Sequence, residues 1–287
     1  MGLDYQTILN WRFDDVEQTY TEKDSILYAL GLGLGNNPTD PEQIKYLYEK
    51  QLQSFPTMAV TLGYPGAWLA NPKTGIDMVK VLHGEQHLEI HRDLPPHGTV
   101  VGQTKVLDIL DKGADKGALI FTQRQLFDKA SGDLLNTQKA VVFARGNGGF
   151  ERPPQTAPAA PPSIPERAAD SHQDIQIAPN AALLYRLSGD YNPLHADPKI
   201  AAKAGFQSPI LHGLATFGIA ARAVLDACAT HPGSRLTRFN VRFSAPVYPG
   251  ETLRTEIWRS GEDMIFRCKV VERDQTVLNN GAARIAR

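Results

Sequence analysis

A carboxylate and an imidazole lie five residues apart in the second half of the sequence, at Asp190 and His195. In a helix or a strand this spacing directs the two side chains to different faces, so they meet only if the intervening chain turns. Gly189 and the pair Asn192-Pro193 supply turn signals, because the residue before a proline is driven out of the helical region. A carboxylate and an imidazole on one tight turn are suited to hold and polarise a water molecule. The alternative interpretation is an ordinary Asp/Asn turn beside an exposed histidine with no role in chemistry.

A glycine at position 213 precedes the longest helical pattern in the chain. The first N–H groups of a helix have no partner within the helix, and this end of the helix dipole is positive. Glycine lets a ligand carbonyl approach such an N–H group closely, which would make the Gly213 amide an oxyanion donor. Taken alone, Gly213 is better explained as a plain helix-entry glycine. Together with Asp190 and His195, it predicts acid–base chemistry beside an activated carbonyl.

The elements that must position these residues follow from apolar patterning. Apolar residues lie on one face of the predicted long helix at Leu214, Phe217, Ala221, Val224, Leu225 and Cys228. Shorter helices are predicted to start at Thr21 with Asp24, at Asp40-Pro41 and at Asp197-Pro198. In each half a Pro/Gly turn is followed by three β-like runs: 100–106, 118–127 and 140–145, then 253–258, 264–271 and 282–287. Helices beside antiparallel strands, twice over, predict an α+β fold.

A proline-rich segment divides the chain. The sequence has 287 residues, which suits two domains of roughly 140 residues each. Residues 151–172 are rich in Pro, Ala, Ser and Gln and are interpreted as a linker, since such a stretch favours extended conformations. The predicted domains are residues 1–150 and residues 173–287.

Three motifs of the second half resemble those of the (R)-specific enoyl-CoA hydratases, or hydratase 2 enzymes, a MaoC-like branch of the hot-dog fold. They are Leu187-Ser188-Gly189-Asp190 through His195, Pro209-Ile210-Leu211-His212-Gly213, and Pro246-Val247-Tyr248-Pro249-Gly250. Four segments of the first half are similar to the hydratase region of peroxisomal multifunctional enzymes: residues 28–31, 46–49, 81–86 and 106–113.

The resemblance implies a fold, a reaction and roles for individual residues. The fold is a double hot-dog, in which each antiparallel sheet wraps around a long helix. The reaction is the reversible hydration of a trans-2-enoyl-CoA to a (3R)-3-hydroxyacyl-CoA, without a metal or other cofactor. Asp190 and His195 are then the catalytic pair, Asn192 helps to position them, and the Gly213 amide binds the thioester oxygen. Glu49 matches a further acidic residue of the family, although a surface Lys45/Glu49 helix pair explains it equally well.

The two halves are expected to differ in chemistry. Residues 28–31 and Asn37-Pro38 resemble a decayed copy of the segment that runs from Tyr185 to Pro193, with no counterpart of His195. We therefore expect one active site per chain, in the second half, with the first half supplying a wall of the acyl pocket. Arg242 is a candidate for binding coenzyme A phosphates, and a solvated strand face is its alternative.

Composition excludes several other classes of protein. A net charge of −1 argues against nucleic-acid binding by phosphate neutralisation. Two cysteines, Cys228 and Cys268, are too few for a disulfide framework or a thiolate zinc site. The cluster His83-Gly84-Glu85-Gln86-His87 does not match a zinc-protease motif, and its alternation indicates a strand with a polar outer face.

The remaining expectations concern location, assembly and rival functions. No run of apolar residues is long enough to cross a membrane, and neither terminus carries a targeting signal, so a cytoplasmic protein is expected. A homodimer is a further expectation. Two rival functions stay open: a hot-dog thioesterase, and a non-catalytic acyl-CoA-binding subunit.

Overall fold

The computed structural model describes residues 3–151, 162–229 and 233–286. Part of the predicted linker, residues 152–161, lies outside the described residues. The first strand after it begins at Ser171, so the last two residues assigned to the linker belong to the sheet. No helix of the described ranges is long and apolar enough to span a membrane.

The helices begin where the sequence signals place them. Thr21 and Asp24 form a reciprocal capping box, while Asp40 and Asp197 cap their helices through side-chain oxygens, so these predicted starts are confirmed. The α-helices are α1 (Tyr5–Leu9), α2 (Glu22–Gly31), α3 (Pro41–Ile44), α4 (Ala181–Tyr185), α5 (Pro198–Lys203) and α6 (Gly213–Cys228). Short 3₁₀ helices span Pro56–Thr61, Trp68–Ala70, Pro72–Thr74, Met78–Lys80, Arg186–Ser188 and Pro193–His195.

Ten strands form one antiparallel sheet. They are β1 (Val16–Tyr20), β2 (Val81–Ile90), β3 (Gly98–Asp111), β4 (Ala118–Asp128), β5 (Leu134–Ala144), β6 (Ser171–Gln176), β7 (Arg235–Phe243), β8 (Thr252–Ser260), β9 (Asp263–Val270) and β10 (Gln275–Ala286). The strand order is β1-β3-β4-β5-β2-β7-β10-β9-β8-β6, so each half contributes five neighbouring strands. Pairing of β2 with β7, in register from Glu85↔Arg242 to Glu89↔Arg238, fuses the two half-sheets.

The helix α6 lies at the centre of the molecule. Its residues from Ala215 to Val224 are all buried, which is typical of a helix enclosed on every side. The Phe217 ring packs edge-on against Phe239 of β7, with ring centroids 4.9 Å apart. On another face, a side chain at Gly218 would lie 2.6 Å from Leu32 at the end of α2, so the glycine permits close contact between the two halves.

The first half has no counterpart of α6 among its described residues. The helix predicted after Asp40 ends at Ile44, and the chain then turns through Gln51, whose φ is 62°. The 3₁₀ helix Pro56–Thr61 follows and packs on α6. Within the described ranges the long helix expected in each half is therefore found only in the second. In the first, a left-handed residue and a proline lie between α3 and the 3₁₀ helix and prevent one continuous helix.

The two segments interpreted as copies of one another are in contact. The rings of Tyr28 in α2 and Tyr185 in α4 have centroids 5.7 Å apart. Both side chains are buried, and the Tyr28 hydroxyl lies 2.9 Å from the hydroxyl of Thr57. The contact between the two tyrosine rings joins the halves, and the Tyr28–Thr57 hydrogen bond holds Tyr28 in place within the first.

Candidate active site

The Asp/His loop, residues 189–195, turns as its sequence predicts. Gly189 has a φ of 115°, a conformation that favours glycine. The Asn192 N–H donates to the Asp190 carboxylate at 3.1 Å, and the Asn192 side chain accepts from the Leu194 N–H at 3.0 Å. Asn192 thereby caps the 3₁₀ helix that ends at His195, and it fixes the turn between the two candidate catalytic residues.

His195 offers one ring nitrogen to this site. The imidazole is 8% exposed, and its Nδ1 lies 2.8 Å from the carbonyl oxygen of Ile210. A carbonyl only accepts, so Nδ1 carries the proton in the neutral ring and Nε2 is left as an acceptor. Burial lowers the pKa of His195, which favours this neutral form, while the Ile210 carbonyl and the Asp190 carboxylate act in the opposite direction.

A second histidine, His212, completes the cluster. Its Nε2 donates to the main-chain oxygen of Asp190 at 3.1 Å, and its ring stacks on His195 with centroids 3.8 Å apart. It is 1% exposed, and burial together with the neighbouring His195 lowers its pKa to about 4. The sequence analysis assigned His212 no role, although its place directly before Gly213 was a signal that could have found it.

One ligand atom from each of Asp190, His195 and His212 lies within 4.8 Å of the others. A water molecule that donates to two acceptors spans such a separation, since each hydrogen bond is about 2.8 Å long. These donor types also suit a transition metal. His195 Nδ1 and His212 Nε2 already hydrogen-bond to main-chain oxygens, so each ring offers only its other nitrogen to a water or an ion.

The Gly213 amide lies at the first position of α6, as predicted. Its N–H has no acceptor among the residues that the structure describes. A side chain at this position would meet the Phe243 ring at 3.3 Å, so glycine lets the helix start pack closely against β7. The helix start therefore presents an unpaired donor close to the Asp/His loop, which a carbonyl oxygen can use.

The first half contributes a wall to this site. The His83 ring lies 4.7 Å from the Phe243 ring across the β2–β7 junction. Removal from water lowers the pKa of His83 to about 4, and the Asp190 carboxylate acts in the opposite direction. His83 is thus close enough to the Asp/His loop for their charges to interact. The sequence analysis predicted a strand here, and the structure places His83 on strand β2.

Two predicted substrate-binding residues lie apart from this cluster. Glu49 is exposed and makes no hydrogen bond or ion pair with the described residues. The nearby residue Tyr46 lies within range of the Asp226 carboxylate, which is close to the end of α6. Burial mainly raises the pKa of Tyr46, and the charge of Asp226 raises it further. Since a residue of an α-helix rises about 1.5 Å, this end lies roughly 20 Å from Gly213. The structure does not bring Glu49 to the Asp/His loop.

Arg242 is occupied by another partner. Its Nε and Nη2 donate to Glu85 on the neighbouring strand at 2.8 and 2.6 Å. The side chain is exposed on the outer face of the sheet, where the alternative interpretation, a solvated strand face, describes it well. Its role in binding phosphates stays a prediction.

The fold and site together define a class. A ten-stranded antiparallel sheet made of two fused halves around one central helix is the double hot-dog architecture of MaoC-like proteins. The family model described as "MaoC like domain" matches residues 161–281 of this chain. The model described as "MFE-2 hydratase 2 N-terminal domain" matches residues 18–146. A Mycobacterium tuberculosis protein described as having a double hotdog fold superposes with a TM-score of 0.59 at 15% identity, a likeness of fold alone. The predicted fold class is confirmed.

The similarity extends over nearly the whole chain. Enoyl-CoA hydratase ChsH3 of Mycobacterium tuberculosis is 37% identical over 98% of both chains. The peroxisomal enoyl-CoA hydratase 2 of Arabidopsis thaliana is 36% identical over 94% of this chain and 92% of its own. A MaoC-like dehydratase from Phytophthora capsici superposes with a TM-score of 0.85 at 35% identity, covering 98% of each chain. The chain belongs to the MaoC-like hydratase 2 family.

Proposed function

We propose that this protein catalyses the reversible hydration of a trans-2-enoyl-CoA to a (3R)-3-hydroxyacyl-CoA. The observation that carries the proposal is the convergence of the Asp190 carboxylate, the free nitrogen of His195 and the Gly213 amide at one site. Relatives of nearly equal length that are named enoyl-CoA hydratases support the same reaction.

The mechanism follows from the hydrogen-bonding properties of these three groups: two acceptors, Asp190 and His195, and one donor, the Gly213 N–H. A water molecule donates its hydrogens to the Asp190 carboxylate and to His195 Nε2, so its oxygen lone pair is directed at C3 of the enoyl group. As the C3–O bond forms, the π electrons move towards the thioester oxygen, where the Gly213 N–H stabilises the developing negative charge. The proton taken from the water is held by the carboxylate–imidazole pair and is then delivered to C2. Water thus supplies both added groups, and no electron donor is needed.

The two halves have different proposed roles. The second half, from residue 173 onwards, carries the catalytic residues, while the first half up to residue 150 supplies His83 and its neighbours as a wall of the acyl pocket. Asn192 holds the turn that sets the spacing of Asp190 and His195. A cytoplasmic location and a homodimer stay predictions.

One experiment separates hydration from its two rivals. Purified protein is incubated with crotonyl-CoA and with a longer trans-2-enoyl-CoA while the enoyl absorbance and the free thiol are followed together. Hydration predicts loss of enoyl absorbance without thiol release. Thiol release would identify a thioesterase, and no change with either substrate would indicate a binding subunit.

A further inference from the structure

An arginine occupies an inward position in the first half of the sheet. Along β4, the side chains of Ile120 and Leu126 are fully buried on the inner face, and Arg124 shares their alternation. Apolar side chains are expected at such positions, and a charge there is costly unless something compensates it. The even spacing of Arg124 from Ile120 and Leu126 is visible in the sequence, but the sequence analysis assigned Arg124 no role.

The hydrogen bonds of Arg124 leave most of its donors unused. Nη2 donates to the carbonyl of Val60 at 2.7 Å and to the side-chain oxygen of Gln138 at 2.6 Å. Nε is buried without an acceptor, and Nη1 makes no hydrogen bond with the described residues. No carboxylate in the described ranges forms an ion pair with Arg124. Three of the five N–H donors of this guanidinium therefore remain for a ligand.

This guanidinium and the Asp190 carboxylate act on the same two side chains, Tyr64 and His83. The guanidinium stacks on the ring of Tyr64 at 5.5 Å, and that ring is 56% exposed. Besides burial, the charges of both Arg124 and Asp190 act on the pKa values of Tyr64 and His83. Burial lowers the pKa of Arg124 to about 10, so the group stays cationic at neutral pH. A partly desolvated cation, with no counter-ion among the described residues, thus lies within electrostatic range of the same side chains as Asp190.

We propose that Arg124 binds a carboxylate carried by the acyl chain, so that the preferred substrates are enoyl-CoA thioesters of dicarboxylic acids. A carboxylate accepts two hydrogen bonds from the planar guanidinium and supplies the missing negative charge. Coenzyme A phosphates fit this place less well, because a single guanidinium on the inner face of the sheet would have to withdraw strongly hydrated groups from water. The inference rests on the proposed hydration and adds a substrate class to it.

The test compares matched pairs of trans-2-enoyl-CoA thioesters of equal, graded chain length, one ending in a methyl group and the other in a carboxylate. For wild-type protein we expect kcat/KM to be about tenfold or more higher for the carboxylate-ended member at the best chain length, since a charged hydrogen-bonded pair contributes that much. Arg124→Gln should bring this ratio close to one, mainly through KM, and Arg124→Lys should retain part of the preference. Arg254→Gln, which removes an exposed arginine paired with Asp174, is the matched control and should keep the wild-type ratio.

The outcomes show separately whether the role of Arg124 or the proposed hydration is wrong. Hydration of the methyl-ended series with no preference for the carboxylate would overturn the inference and leave the proposed function standing. A purely structural role of Arg124 in holding Val60 would slow both members of a pair equally. If neither series is hydrated, the proposed function fails, and calorimetric binding of the saturated acyl-CoA pairs to the same protein still tests Arg124. Equal affinity of wild-type protein for both ends would then overturn the inference.

Discussion

The hydrogen bond between His195 Nδ1 and the Ile210 carbonyl decides which nitrogen of the imidazole takes part in chemistry. It fixes the tautomer in which Nε2 accepts, and it holds the ring where the Asp/His loop meets the start of α6. Protonation of Nε2 would remove the acceptor that orients the water. The protonation state of this one residue should therefore control the rate of hydration.

The pH dependence of hydration should report this group. Burial lowers the pKa of His195 below the ordinary value of 6.5, so the ring becomes neutral, and active, as pH rises through a value below 6.5. We expect kcat/KM to rise with pH through that range and to be flat from there to neutral pH, as measured with a short enoyl-CoA at constant ionic strength. Activity that requires protonated His195 would instead fall over the same interval.

At the residue scale, local signals predicted only part of the site. Gly189 and Asn192-Pro193 predicted the turn that unites Asp190 with His195, because turn chemistry is encoded within a few residues. His212 and Arg124 were not assigned, since their roles depend on contacts between segments far apart in the chain. Glu49 matched a family motif, yet the structure leaves it beside the far end of α6.

Among the elements, α6 links the two halves. Its start carries Gly213, and its middle approaches α2 and Leu32 so closely that a side chain at position 218 would have to displace the Leu32 methyl groups. Helix starts could be predicted from the caps at Thr21, Asp40 and Asp197, because a cap is a local hydrogen bond. The end of α3 at Ile44 could not, since residues 45–50, which follow it, contain no glycine or proline to mark the change.

Substitution of Gly218 tests this packing. A Cβ there would lie 2.6 Å from Leu32 Cδ2 and 3.1 Å from the Tyr28 hydroxyl, both in buried side chains. We expect Gly218→Val to lower the free energy of unfolding by about 1–3 kcal/mol through overpacking, as measured by denaturant titration. In a Leu32→Ala background the same substitution should cost less, because the clashing methyl groups are absent. An identical cost in both backgrounds would show that Leu32 is not the obstacle.

In the whole molecule, the two halves share a sheet and a core. The β2–β7 pairing continues one half-sheet into the other, and one apolar cluster includes residues from both halves. The sequence predicted the repeat of elements and the two-part organisation. It did not predict that the half-sheets are fused, because the pairing partner of an edge strand is not specified locally.

A shared sheet and core predict cooperative unfolding. Trp11 and Trp68 report on the first half and Trp258 on the second. We expect Trp258→Phe protein and the double variant Trp11→Phe/Trp68→Phe to show fluorescence transitions that coincide with the loss of circular dichroism within each protein. A fluorescence transition clearly separated from the dichroism transition in either protein would mean that the halves unfold independently.

The central claim is that the Asp190–His195 pair activates the water that adds to the double bond. Its most direct test is the hydration rate of a trans-2-enoyl-CoA by Asp190→Asn, His195→Gln and wild-type protein, with chiral analysis of the product and circular dichroism to verify folding. The account predicts the (3R)-3-hydroxyacyl-CoA from wild-type protein, and folded variants in which the rate falls by a factor of about 10² to 10⁴. The Arg254→Gln control should match wild type. A folded variant that hydrates at close to the wild-type rate, or a (3S) product from wild-type protein, would contradict the account.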